Sequence, residues 1–184
     1  MVELQRLTGM RPGEVTAMRA GDVDASGDVW VYRPAGHKTA HRGRERSIFL
    51  GPLAQAVLRP WLRLELTAYL FSPREAVAER LARRPPGRGA ADPSSPLPLR
   101  SPGRPPGIRY TSRTYHQAIQ YGCARAGVSP WHPHQLRHSA ATWLRKEFGL
   151  DAARVILGHA SASTAEIYAE LDRGKARAVM ERVG

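Results

Sequence analysis

Five residues between positions 134 and 168 have the types and order for chemistry on a phosphodiester: His134, Arg137, His138, His159 and Tyr168. They lie in HQLRH, in LGH and in the polar stretch that follows. Phosphodiester transesterification needs a nucleophile, cations on the non-bridging oxygens, an acceptor for the nucleophile's proton and a donor for the leaving oxygen. Tyr168 offers a phenol as the nucleophile. Arg137 and, far upstream, Arg11 offer forked guanidiniums that meet phosphate oxygens two at a time. His134 can take the phenol proton and His159 can hydrogen-bond a phosphate oxygen. Lys38, on a predicted hairpin loop, can protonate the leaving 5′ oxygen. A phosphotyrosine keeps the energy of the broken bond, so rejoining needs neither ATP nor a metal.

Each of these residues also has a plainer reading. A tyrosine on an amphipathic helix is most often core or surface, and a histidine is most often a hydrogen-bond partner. Arg11 stands just before a helix N-terminus, where backbone N–H groups and the helix dipole favour a phosphate; it reads equally as the partner of Glu14. Lys38 reads either as an acid for the leaving group or as a solvated loop lysine. HQLRH also carries His134 and His138 at the H-x-x-x-H spacing of a zinc helix, with His132, His159 and Cys123 as further donors. Gln135 stands where such a protease needs a glutamate base, and Arg137 on the same face repels a dication. The ordered set carries the weight, and no metal or cofactor is expected.

The elements that must position these residues follow from pattern. Residues 2–8 read as the end of a helix with Val2, Leu4 and Leu7 apolar, broken at Thr8-Gly9. A second helix begins near Pro12, a residue tolerated in a first turn. Residues 28–32 and 46–50 are rich in aromatic and β-branched residues and read as strands, with Val23 opening a third and a polar, Gly-containing hairpin between 36 and 45. Residues 52–70 have a helical pattern with Leu53, Val57, Trp61 and Leu64 near one face, and Pro60 kinks or splits that helix. A short helix is expected around 74–83, and no regular structure from 85 to 107, because nine of the fifteen prolines fall between Pro73 and Pro106.

Helical pattern resumes over 112–126, where Ala118, Ile119, Gly122 and Ala126 can pack and Gly127 stops the helix. The next helix runs from about 133 to 148, with Leu136, Ala140, Trp143 and Leu144 as its buried stripe. His134, Arg137 and His138, at i, i+3 and i+4, then share a different face, open to a ligand. Asp151 caps a short helix ended by Gly158. Ser163 and Glu166 have capping-box spacing and start the helix that bears Tyr168. Ala176, Val179, Met180 and Val183 form one stripe of a terminal amphipathic helix, which can pack on its own domain or on a neighbour.

Composition agrees with a polyanionic partner. The 184 residues suit one domain, and 28 basic against 16 acidic side chains, net +12, favour nucleic acid. Only three of those cations are lysines, and a richness in Ala, Arg, Gly and Pro can also reflect genome base composition. The single cysteine, Cys123, leaves no internal disulfide and points to a reduced, cytoplasmic setting. No apolar run approaches the ~20 residues of a membrane span, and the N-terminus shows no signal pattern.

TGMRPGE, GHKTAHRGRERSIFL, HQLRHSAAT and LGHASASTAEIY together resemble the catalytic domain of tyrosine recombinases, the phage-integrase family. The resemblance covers roughly 1–60 and 110–184. It implies Arg11 as the first catalytic arginine, Lys38 as the β-hairpin lysine, and His134 with Arg137 as the H-x-x-R pair. It implies His159 as the later histidine and Tyr168 as the nucleophile. Glu14 matches R-x-x-E as an orienting partner, and His138 matches the second histidine of H-x-L-R-H in a supporting role. The fold expected is α+β, mainly α-helical: a tyrosine-recombinase-like catalytic domain with a small three-stranded antiparallel sheet near the N-terminus.

The function so implied is a site-specific DNA recombinase or integrase, cutting and rejoining strands through a 3′-phosphotyrosine. Double-stranded DNA is the partner, with a homotetramer on two DNA sites assembled through exchange of C-terminal segments. Family members carry a core-binding domain ahead of the catalytic one, so 1–184 is expected to be an N-terminally truncated catalytic domain with a Pro/Arg-rich, flexible insertion at 72–109. Two alternatives share the partner: type IB topoisomerase-like nicking and resealing by a monomer, and a catalytically inactive DNA-binding remnant.

Overall fold

The computed structural model describes residues 1–36, 46–83, 105–158 and 169–183, with 169–173 described by backbone alone. Lys38, His159 and Tyr168 lie outside the described residues, as do the hairpin tip, most of the expected insertion and the Ser163–Glu166 cap.

Helix α1 (Val2–Thr8) ends at Gly9, whose φ of 63° is the left-handed conformation that glycine adopts without a Cβ penalty. Helix α2 (Pro12–Thr16) starts one residue after Arg11. Strands β1 (Val23–Asp24), β2 (Trp30–Tyr32) and β3 (Ile48–Leu50) form an antiparallel sheet in that order, with Trp30 opposite Leu50 and Tyr32 opposite Ile48. The expected small sheet is therefore present, and the rest of the described chain is mainly helical.

Helix α3 (Pro52–Leu58) is shorter than its apolar pattern suggests. Pro60 lacks the N–H that would continue the ladder, so Arg59–Trp61 tightens into a 3₁₀ turn and the chain leaves the helix. The inward residues are Ala54, Gln55 and Leu58, while Leu53, Trp61 and Leu64 are exposed, which corrects the expected stripe. The chain returns to the core at Leu70, whose N–H donates to the Met18 carbonyl. Helix α4 (Pro73–Ala82) follows on the surface, capped by Ser72.

Helix α5 (Ser112–Ala126) begins at the Thr111 cap and stops at Gly127, as the sequence predicts. Its buried stripe is Tyr115, Ile119 and Cys123, at i, i+4 and i+8, and Ala118, Gly122 and Ala126 face solvent. The larger side chains take the inward face because burying them removes more apolar area from water. Helix α6 (Pro133–Leu157) breaks at Gly149, whose φ of 84° is non-helical, so it is two helical segments, as expected. Helix α7 (Ala169–Val183) packs Ala176 and Met180 against Leu144, Ala153, Ile156 and Leu157, so in this structure the terminal helix covers its own domain. Among the described residues no helix is long and apolar enough to cross a membrane.

Candidate active site

Helix α6 does not present the open face expected of it. Its buried stripe is Pro133, Arg137, Ala140 and Leu144, while Trp143 is exposed and Leu136 is only partly covered. Arg137 thus sits on the packed side, 7% exposed, and only His134 and His138 remain outward. The correction has a physical reason. The guanidinium reaches two carbonyls that the fold leaves open: Nη1 donates to Gly9 O at 2.7 Å and Nη2 to Leu157 O at 2.7 Å. Gly9 is the end of α1 and Leu157 the end of α6, where carbonyls have no helical partner. One side chain therefore ties the turn before Arg11 to the end of the helix that bears His134.

That turn is held from several sides. Gln5 Nε2 donates to Met10 O at 3.1 Å, and the Tyr115 phenol donates to Gln5 Oε1 at 3.1 Å. A Cβ on Gly9 would stand 2.6 Å from Leu157 Cδ2, so only glycine lets α1 and α6 approach this closely. Tyr32 Oη donates to the Glu14 carbonyl at 2.9 Å and pins α2 to the sheet.

Arg11 is the partner of Glu14, one of the two readings open from sequence. The Glu14 carboxylate accepts from the Arg11 backbone N–H at 2.6 Å and from Arg11 Nη1 at 2.9 Å. Glu14 is buried, however, so this is an orienting pair at the floor of the site and not a surface pair. Arg46 Nε approaches the same carboxylate at 3.3 Å. Three guanidiniums, Arg11, Arg46 and Arg137, are thus grouped electrostatically around one carboxylate. Burial, then Arg11 and Arg46, push Arg137 down to about 10, which leaves it charged at neutral pH. An arriving phosphate would relieve that repulsion.

His134 is set by the cap of α6. The His132 N–H donates to Gln135 Oε1 at 2.6 Å, and His132 Nδ1 accepts from the His134 N–H at 3.3 Å. Burial, reinforced by His132, His138, Arg137 and Arg11, lowers the His134 pKa from its ordinary value. A lowered imidazole is neutral near pH 7 and free to accept a proton. Arg11, Glu14 and His134 line one hollow of about 400 Å³, with Gly13, Arg109 and Ser112 around it. Among the described residues, no group of three His, Cys, Asp or Glu side chains could hold a metal ion.

The structure therefore brings Arg11, Glu14, His134 and Arg137 together, with His138 one turn along α6. Lys38, His159 and Tyr168 lie outside the described residues. Sequence reasoning passed over Arg46, although a signal existed: it lies two residues before Ile48 and keeps the period-2 alternation of Ile48 and Leu50, all three being buried.

Replacing Glu14 by glutamine is expected to lower stability by about 3–5 kcal/mol, because Arg46 stays buried without its counter-charge. The pH dependence has a definite sign. Although burial opposes it, Arg46 and then Arg11 hold the Glu14 pKa below its ordinary 4.5. Its stabilisation is complete above 4.5 and is lost as pH falls through the lower folded value. Denaturant titrations across that window should show the wild-type midpoint dropping on acidification, with no matching drop in Glu14→Gln.

Residues 1–175 match the sequence model of the phage integrase family. Tyrosine recombinase XerC of Yersinia pestis is 31% identical over 175 residues, which are 94% of this chain and 47% of that protein. Tyrosine recombinase XerD of Bifidobacterium longum is 32% identical over 171 residues, 91% of this chain and 47% of the relative. The chain spans about half the length of these relatives. A crystal structure of XerH site-specific recombinase bound to difH substrate, a pre-cleavage complex, superposes with a TM-score of 0.50 at 17% identity. It covers 98% of this chain and 42% of the other, and the likeness is one of fold.

Proposed function

The chain belongs to the phage integrase family, and from that membership we propose that it is the catalytic part of a site-specific tyrosine recombinase. Its substrate is double-stranded DNA. Tyr168 attacks the scissile phosphate and leaves a 3′-phosphotyrosine and a free 5′-hydroxyl; the hydroxyl of an exchanged strand then reverses the step. Arg11 and Arg137 neutralise the non-bridging oxygens, His134 takes the phenol proton, His159 hydrogen-bonds a phosphate oxygen and Lys38 protonates the leaving oxygen. Glu14 orients Arg11, and His138 supports His134 from the next turn of α6. No step needs a metal or a cofactor. Recombination joins two DNA sites, so the working unit is a homotetramer linked through C-terminal segments, acting in the cytoplasm where the DNA is.

The observation that carries this reading is the grouping of three guanidiniums around one carboxylate, beside a hollow lined by Arg11 and His134. Such a group is a cationic set suited to hold one phosphodiester. The experiment is a suicide-substrate assay with nicked DNA in EDTA, using sequences from the gene's neighbourhood. The expected product is a protein–DNA adduct that survives SDS and yields phosphotyrosine on hydrolysis. Tight DNA binding with no adduct on any of these substrates would overturn the reading in favour of a binding module.

A further inference from the structure

We propose that Arg46 is a positioning residue that sets the spacing between the two phosphate-binding guanidiniums, Arg11 and Arg137. The inference rests on the recombinase reading above and adds to it a residue that does not touch DNA.

Arg46 is 8% exposed and stands two residues before β3, far in sequence from both of the elements it joins. On one side its Nε meets Glu14 Oε1 at 3.3 Å, the same oxygen that accepts from Arg11 Nη1. On the other side its Nη1 donates to Ile156 O at 3.1 Å and to Ser47 O at 3.3 Å. Ile156 is the neighbour of Leu157, whose carbonyl holds Arg137. Two guanidiniums thus grip adjacent carbonyls at the end of α6. One of them reaches back through Glu14 to Arg11, and the chain of contacts runs Arg11, Glu14, Arg46, Ile156, Leu157, Arg137.

Gly158 is shaped for this contact. A Cβ there would lie 2.7 Å from Arg46 Nη1 and 3.1 Å from its Cζ, so the guanidinium occupies the space that a side chain would need. As a device for stability alone Arg46 is a poor choice. Its Nη2 is buried without a hydrogen-bond partner among the described residues, and desolvation lowers its pKa. A well-packed apolar side chain would carry neither cost. What an apolar residue cannot supply is a rigid fork of fixed reach between a carboxylate and a helix end.

The charged and titratable groups facing Glu14 are Arg11 at the cap of its own helix, Arg46 from the segment before β3, Arg137 from α6 and the Tyr32 phenol from β2. Arg46 is the largest of the influences that keep the carboxylate ionised. Without it, Glu14 protonates at higher pH and releases Arg11. That consequence separates positioning from bulk stability.

The test compares the full chain with Arg46→Met and Arg46→Lys in the adduct assay, at saturating DNA and over a range of pH, with Tm and DNA affinity measured alongside. In Arg46→Met the adduct rate should fall about 100-fold, the cost of a misplaced catalytic group, with DNA affinity kept. The acid limb of its pH–rate profile should move to higher pH. Arg46→Lys restores the charge without the fork, so its acid limb should return towards wild type while its rate stays low. A folded Arg46→Met with wild-type rate and pH profile would overturn the proposal. If Arg46→Met does not fold, Arg46→Lys decides: a wild-type rate overturns it and a low rate supports it. If wild type itself forms no adduct, the recombinase reading fails separately. NMR titration of the Glu14 carboxyl then tests Arg46 alone: a rise in Arg46→Met that Arg46→Lys reverses supports its hold on Glu14, and an unchanged value in Arg46→Met overturns it.

Discussion

A Tyr168→Phe chain is expected to bind DNA as tightly as wild type and to form no covalent adduct at all. Phenylalanine keeps the ring and removes only the oxygen, so the loss reports the phenol. On the proposed reading the phosphate contacts come from Arg11, Arg137 and other cations, so affinity should persist with its salt dependence unchanged. The other tyrosines are poor substitutes. Tyr32 and Tyr115 are buried with their phenols engaged by Glu14 O and Gln5 Oε1, and burial pushes both pKa values up. Tyr69 Oη accepts from Arg19, burial also raises Tyr110, and Tyr121 stands exposed on α5. None of these five lines the hollow beside Arg11. An adduct that survived in Tyr168→Phe would therefore remove Tyr168 from the mechanism and send the search to serine or histidine.

Arg137→Met is expected to damage both stability and chemistry. The two carbonyls it now satisfies, Gly9 O and Leu157 O, are left without this partner, at about 1–3 kcal/mol each if they stay dry. If Arg137 acts on the phosphate as proposed, its loss costs a further 10²–10³-fold in rate, on the order of what one oxyanion donor supplies. Arg137→Lys keeps a charge but cannot span both carbonyls, so it should recover part of the rate and little of the stability. A peripheral arginine provides the contrast. Arg83 is exposed and paired only with Glu79, and Arg83→Met should change neither the Tm nor the adduct rate. Rate and thermal melting measured on the three variants check this, and equal, small effects at Arg137 and Arg83 would count against the site.

Much of this was legible in the sequence because the signals are local. Gly127 and Gly158 end their helices where chain pattern puts them, since a left-handed cap is chosen by one residue. The sheet was legible because β-branched and aromatic residues cluster in two short runs, with Val23 opening a third strand ahead of them. What pattern missed were choices made by tertiary contacts. The stripe read on α6 treated Arg137 as polar and therefore outward, whereas two open carbonyls from distant helix ends made burial of its guanidinium favourable. The same assumption concealed Arg46, although strand alternation placed it on the inner face. Leu64 was counted as core because its spacing was helical, but Pro60 had already ended the helix.

The bonds of Arg137 have a consequence for the order in which the molecule is made. One of them spans 128 positions, from residue 137 to residue 9, and the Arg46 bond to Ile156 spans 110. Contacts of such separation close late, after local helices have formed and long stretches of chain have been drawn together. During synthesis the N-terminal arginine and its glutamate leave the ribosome well before the helix end that fixes them. A nascent chain therefore carries Arg11 and Glu14 but no aligned pair of arginines, and Arg11 and Arg137 are fixed against each other only once translation has passed Leu157.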